Sequence, residues 1–152
     1  MGKVYTKYGV VIATALIIYF IVLKFIGLHQ YPIFSALNGV FFGGGILLAM
    51  KKYKSQATSF KYQKGFQVGF MTGAVASVIF TILMAIYMYQ LDTEFATRIL
   101  DSWNLDYASG TFMVLVTIFI MGISTSLVLT LAFMQLLKTS WNTPDGNRNA
   151  LK

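Results

Sequence analysis

Residues 65–89 read GFQVGFMTGAVASVIFTILMAIYMY, a stretch without one Asp, Glu, Lys, Arg or His. Its length decides the class of fold. About 20 predominantly apolar residues in a helix cross a hydrocarbon core of about 30 Å, and in oil the backbone N–H and C=O groups find partners only in one another. The stretch therefore predicts a membrane-spanning helix over about 66–89. Within it Gly65, Gly69, Gly73, Ser77 and Thr81 recur at four-residue steps, which draws one narrow stripe of small side chains along the helix. Lipid tails are as apolar as leucine, so helices in a bilayer adhere where such residues let backbones come close.

Outward from this stretch, three further runs meet the same length: about 8–28, 32–50 and 111–137. Pro32 suits the first position of a helix, where an N–H would have no partner. The composition agrees, with 57% hydrophobic and 11% charged residues against about 45–50% and about 25% in soluble proteins. The expected fold is an all-α membrane protein, one domain over 1–152 with four transmembrane helices and a polar tail at 138–152. The second span carries Gly39 and Gly43 in register with Ser35, and the fourth carries Gly122 and Ser126 in register with Thr130. Gly44 and Gly45 add local flexibility to the second span. The stripes are expected to meet inside one chain, with homodimerisation through the third span as the rival.

The run after the short basic start is too long for the roughly 7–15 apolar residues of a cleaved signal, and no small-x-small site follows at Gly27-Leu28-His29-Gln30. It is expected to stay as the first span. Met1-Gly2-Lys3-Val4-Tyr5-Thr6 also fits an N-myristoylation pattern, but a chain that already crosses the membrane gains little from one acyl group.

Orientation follows from charge, because cytoplasmic loops retain Lys and Arg. Lys3 and Lys7 precede the first span, Lys51, Lys52, Lys54, Lys61 and Lys64 fill the second connection, and Lys138, Arg148 and Lys152 follow the fourth. The connection over 90–110 holds Asp92, Glu94, Asp101 and Asp106 against Arg98. Both termini are accordingly expected in the cytoplasm. Lys24, one turn inside the far end of the first span, is expected to extend its ammonium to the interface. The five lysines of the second connection, with Tyr53, Phe60 and Tyr62 among them, hold that loop inside, and each can gain about 1 kcal/mol beside anionic lipid. In the acidic connection Leu91, Phe95, Ile99 and Trp103 recur at four-residue spacing, with Asp92 placed to cap a helix. That pattern predicts a short amphipathic helix, lying on lipid or docked as a lid on the bundle.

Chemistry is harder to find. No Asp, Glu, His or Arg lies in the middle of a span, and cysteine is absent, so no catalytic residue, metal site or cofactor site is expected. His29 stands in a turn without a partner for acid–base work. The net charge of +7 lies beside apolar runs, which points to a membrane surface and not to nucleic acid. Of the polar residues at depth, Thr72, Ser77, Thr81, Thr117, Ser124, Thr125, Ser126 and Thr130 can bond the preceding turn or a neighbouring helix. Asn38 is different, since its own helix cannot fully satisfy its amide. It precedes the Gly39–Gly45 segment, where carbonyls could open toward a ligand.

Tyr62, Gly65-Phe66, Gly69-Phe70, the small and β-branched run after them, Tyr87 and Tyr89, and Asp92 with Phe95 together resemble a family of small four-span bacterial inner-membrane proteins grouped as a domain of unknown function. This chain has Asp92-Thr93 where that family's pattern suggests Asp-Pro. The resemblance implies a bacterial inner membrane and carries over no catalytic residue. The function expected from the sequence is non-enzymatic: an interaction or assembly subunit in the bilayer, contacting a membrane-protein partner or another copy of itself. The alternative is a small transporter or channel with a path near Asn38 and the glycines of the second span.

Overall fold

A computed structural model describes residues 2–27, 32–57, 61–101 and 107–137. The turn with His29, Phe60, Trp103, Asp106 and the tail at 138–152 lie outside the described residues. Every regular element among the described residues is helical: α1 (Gly2–Ile26), α2 (Pro32–Gln56), α3 (Tyr62–Ile86), a π-helical turn (Tyr87–Leu91), α4 (Thr93–Asp101) and α5 (Tyr107–Leu137). Three stretches are long and apolar enough to cross a membrane, namely Gly2–Ile26, Tyr62–Leu91 and Ser109–Leu137. The fourth long helix, α2, packs among them.

α3 is the centre of the bundle and touches α1, α2 and α5. Its small residues explain why three helices fit around it. A methyl group added at Gly69 would lie 2.7 Å from both Met50 Sδ and Thr130 Cγ2, and one added at Gly73 would overlap Ser126 Oγ. On α5, a methyl group at Gly122 would overlap Ser77 Oγ. Gly69, Gly73 and Ser77 thus ascend α3 while Thr130, Ser126 and Gly122 descend α5 in the same four-residue steps, an antiparallel register with no room for larger side chains. In the tight centre Ser126 donates to the main-chain oxygen of Phe70 at 3.0 Å, across the interface. Thr72 and Ser77 instead donate to Val68 O and Gly73 O, one turn back on their own helix.

Two other glycines take part. A Cβ at Gly9 of α1 would approach Val75 and come within 3.0 Å of the main-chain oxygen of Thr72, and one at Gly45 of α2 would overlap Ile12. Gly45 is therefore a packing residue and not a flexible one, and α2 runs as unbroken helix through Gly43–Gly45. Its carbonyls remain in the helical ladder. Gly39 also departs from expectation: a Cβ there meets nothing within 4 Å, so no described helix packs closely on it.

The bundle interior forms two apolar clusters. Ile12, Leu16, Phe42, Ile46, Met50, Ala76, Met134 and Leu137 make the first. The second holds Met84, Tyr87, Met88, Leu100, Val114 and Leu115, at the end that carries α4. α4 docks there through Leu100, which is 1% exposed, whereas Leu91 stands 72% exposed on the outside. Of the four-residue pattern Phe95 and Ile99 pack against this cluster beside Leu100, while Leu91 belongs to the π turn, ahead of the break in the helix at Asp92.

Candidate functional site

Between the two clusters lies a cavity of about 360 Å³ whose walls come from four helices: Leu16 of α1, Asn38 and Phe42 of α2, Ser77 and Phe80 of α3, and Thr125 of α5. Its wall is mostly apolar. Asn38, Ser77 and Thr125 are its polar members, and the Asn38 Oδ1 is buried with no hydrogen-bond partner among the described residues. A buried amide oxygen left without a donor costs on the order of 1–3 kcal/mol.

The cavity exists because α2 and α5 part company. At Gly43 a Cβ would lie 3.4 Å from Leu129 and 3.6 Å from Phe133, in ordinary contact, while one turn earlier at Gly39 the same face of α2 is open. Farther along, Lys54 Nζ donates to the main-chain oxygen of Leu137 at 2.9 Å, tying the other end of α2 to the last turn of α5. The two helices are held at one end and separated at the other. Gly39, Met121 and Gly122 line the resulting opening.

A polar latch closes the α4 end. The π turn arises where Asp92 N–H donates to Tyr87 O at 2.9 Å, and this five-residue step stacks Asp92 above Tyr87, whose hydroxyl donates to Asp92 Oδ2 at 2.7 Å. Asp92 Oδ1 accepts from the Phe95 amide at 2.9 Å, which caps α4. Lys24 completes the group: its Nζ is 3.1 Å from Asp92 Oδ2 and 4.6 Å from the centre of the Tyr87 ring. Lys24 therefore reaches the end of α1, as its long stem allows, but ends on a carboxylate and a ring. The Tyr87 hydroxyl, followed by the Phe95 amide and the lysine, holds the Asp92 carboxyl down at about 2. Beneath the latch Phe20 sets its ring edgewise against Tyr87 and Phe95, at 5.0 and 5.9 Å between centroids.

The family model described as "Protein of unknown function (DUF4199)" matches residues 7–106. The chain belongs to that family. No curated protein and no solved structure matches it. The DUF4199 match contains Lys24, Asn38, Tyr87 and Asp92, so it takes in the whole latch and three walls of the cavity, whereas the wall from α5 follows its end.

The sites expected from sequence are placed as follows. Gly43, Gly65, Gly69, Gly73, Ser77, Gly122 and Ser126 are all in the bundle, and of these Gly69, Gly73, Ser77, Gly122 and Ser126 form the α3–α5 seam. Gly39 joins Asn38 at the cavity. Lys51, Lys52, Lys61 and Lys64 are exposed, and Lys54 is turned to the end of α5. Sequence reasoning missed Gly9 and the Lys24–Tyr87–Asp92 group. Gly9 and the buried Ala13 do stand four residues apart on α1, a small-residue spacing that could have found it, whereas the latch joins residues far apart in the chain whose meeting depends on the π turn.

Proposed function

We propose that this protein is a four-span membrane protein of the bacterial inner membrane, with both termini in the cytoplasm, that works by binding and not by catalysis. The observation that carries this reading is the cavity itself: a concave, mainly apolar space with a few polar side chains, Asn38, Ser77 and Thr125, in its wall, and an Asn38 oxygen without a hydrogen-bond partner among the described residues. For the fourth span, support comes from the 25 residues of α2, its place in the bundle, and the exposed Leu37, Val40, Phe41 and Leu48 along it. Such a row of apolar side chains suits lipid. The lysines at 51, 52, 54, 61 and 64 then lie on the cytoplasmic surface beside anionic headgroups.

The fluorescent apolar probe 1-aminoanthracene tests the binding reading. Its emission should rise saturably with the purified wild-type protein and lose that component in Gly39→Phe, where the added ring fills the opening. Equal emission from both proteins rejects the cavity as a site.

A second reading, an assembly subunit, is favoured by Gly44. A Cβ there meets nothing within 4 Å, and it lies between the exposed Val40 and Leu48, so a backbone approach remains that no described helix uses. A helix from a partner or another copy fits that place. Gly44→Leu should then dissociate a complex that is stoichiometric in mild detergent, and a protein that is monomeric throughout rejects this reading.

A further inference from the structure

We infer that the cavity takes a single hydrocarbon chain of a membrane lipid, entering sideways between α2 and α5, with a hydroxyl or amide N–H at the polar end of that chain donating to Asn38 Oδ1. The inference rests on the binding reading above and adds the class of ligand and its route.

The route follows from what closes the other directions. Leu16 and Phe42 in the wall belong to the first cluster, Ile118 packs against the second, and Phe80 packs against both. Both axial directions are therefore filled with side chains. Sideways the cavity is open at Gly39, where a Cβ meets nothing within 4 Å, and at Met121, which is 63% exposed. Next to Gly39 and Met121 in the chain, Val40 and Ile120 are also exposed. Large apolar side chains around an entrance suit a hydrocarbon surrounding, so what enters comes from the bilayer.

Size and depth narrow the class. About 360 Å³ lies near the small end of the roughly 300–1,000 Å³ usual for ligand sites, which suits one chain and not a whole two-tailed lipid. Asn38 is the seventh residue of α2, so it lies about 9 Å along the axis from the start of the helix. That places the amide about two turns inside the span, within reach of a polar group drawn in at the head of a single chain. The oxygen needs a donor, which a hydroxyl or an amide N–H supplies and an ester does not.

The test uses the full chain in vesicles of phosphatidylethanolamine and phosphatidylglycerol that contain a monoacylglycerol with a photoreactive diazirine in its chain. After irradiation, mass spectrometry of the peptides should find adducts on Phe42 and Phe80 inside the cavity as well as on the lipid-facing Ile82 and Val128. Gly39→Phe should remove the inner adducts and leave the outer ones. Asn38→Leu should weaken inner labelling by about twofold to tenfold, the range of one net hydrogen bond. Thr125→Trp, on the opposite lip, repeats the block should Gly39→Phe disturb folding. Adducts confined to Ile82 and Val128, or inner adducts indifferent to both blocking variants, overturn the inference. If 1-aminoanthracene emission still depends on Gly39 in that case, only the lipid assignment falls; if it does not, the binding reading falls with it.

Discussion

Gly73 of α3 faces Ser126 of α5 so closely that no methyl group fits between them, and one turn away the Ser126 hydroxyl donates to the main-chain oxygen of Phe70. In a bilayer, where apolar surface gains little by leaving lipid for protein, such close backbone approach and the hydrogen bonds it permits are what hold helices together.

Gly73→Ala should therefore destabilise the bundle by about 1–3 kcal/mol, the usual cost of overfilling a packed interior. Adding Ser126→Gly should recover part of that loss by clearing the obstruction. Gly44→Ala, placed where a Cβ meets nothing, should stay within about 0.5 kcal/mol of wild type. Unfolding by a denaturing detergent, followed by loss of helical circular dichroism, checks all three.

Asp92 sets the pH response of α4. Its carboxyl is held at about 2, below the ordinary 3.8, so the folded state favours the carboxylate and the stabilisation is fully present above 3.8. It is lost as the pH falls from there through about 2. A fluorophore on Thr97→Cys should report a constant environment for α4 from neutral pH to about 4, then a change at lower pH. In Asp92→Asn the change should already be present at neutral pH, and a wild-type transition near neutrality would contradict the latch.

Lys54 should matter to the end of α5. Its bond to Leu137 O places a cation where the helix dipole is negative, an arrangement worth about 0.3–1 kcal/mol. Lys54→Met should raise hydrogen exchange in the last turn of α5 and leave the amides around Ser126 protected. Uniform exchange along α5 in both proteins would show that the tie does no such thing.

Orientation can be read directly because the chain has no cysteine. Ser55 and Thr97 are both exposed, one beside the basic connection and one on α4. In intact bacterial cells a membrane-impermeant maleimide should label Thr97→Cys and spare Ser55→Cys until the membrane is broken. The opposite pattern would invert the topology.

Much of the bundle is legible in the sequence because its elements answer to one-dimensional rules. Long uncharged runs become helices wherever water is absent, and four-residue steps of Gly and Ser mark the side on which a helix approaches another. The partners of those steps are less legible. Nothing local says that Gly73 meets Ser126, or that Gly39, alike in kind to Gly43 and four residues from it, has no described helix packed closely on it. Asn38 is recognisable as an amide its own helix cannot satisfy, but whether it meets another helix or a space depends on where α2 and α5 separate.

The chain by itself determined that long apolar helices form, where a short capped helix begins and which side chains are small enough for close packing, since each of these depends on neighbours in sequence. Only the tertiary structure decided that α3 lies at the centre, that Lys24 ends on Asp92 and that a cavity remains beside Asn38. Those outcomes depend on how helices far apart in the chain lean on one another. The π turn at Tyr87–Leu91 and the break in the helix at Asp92 that follows it set the direction in which α4 starts.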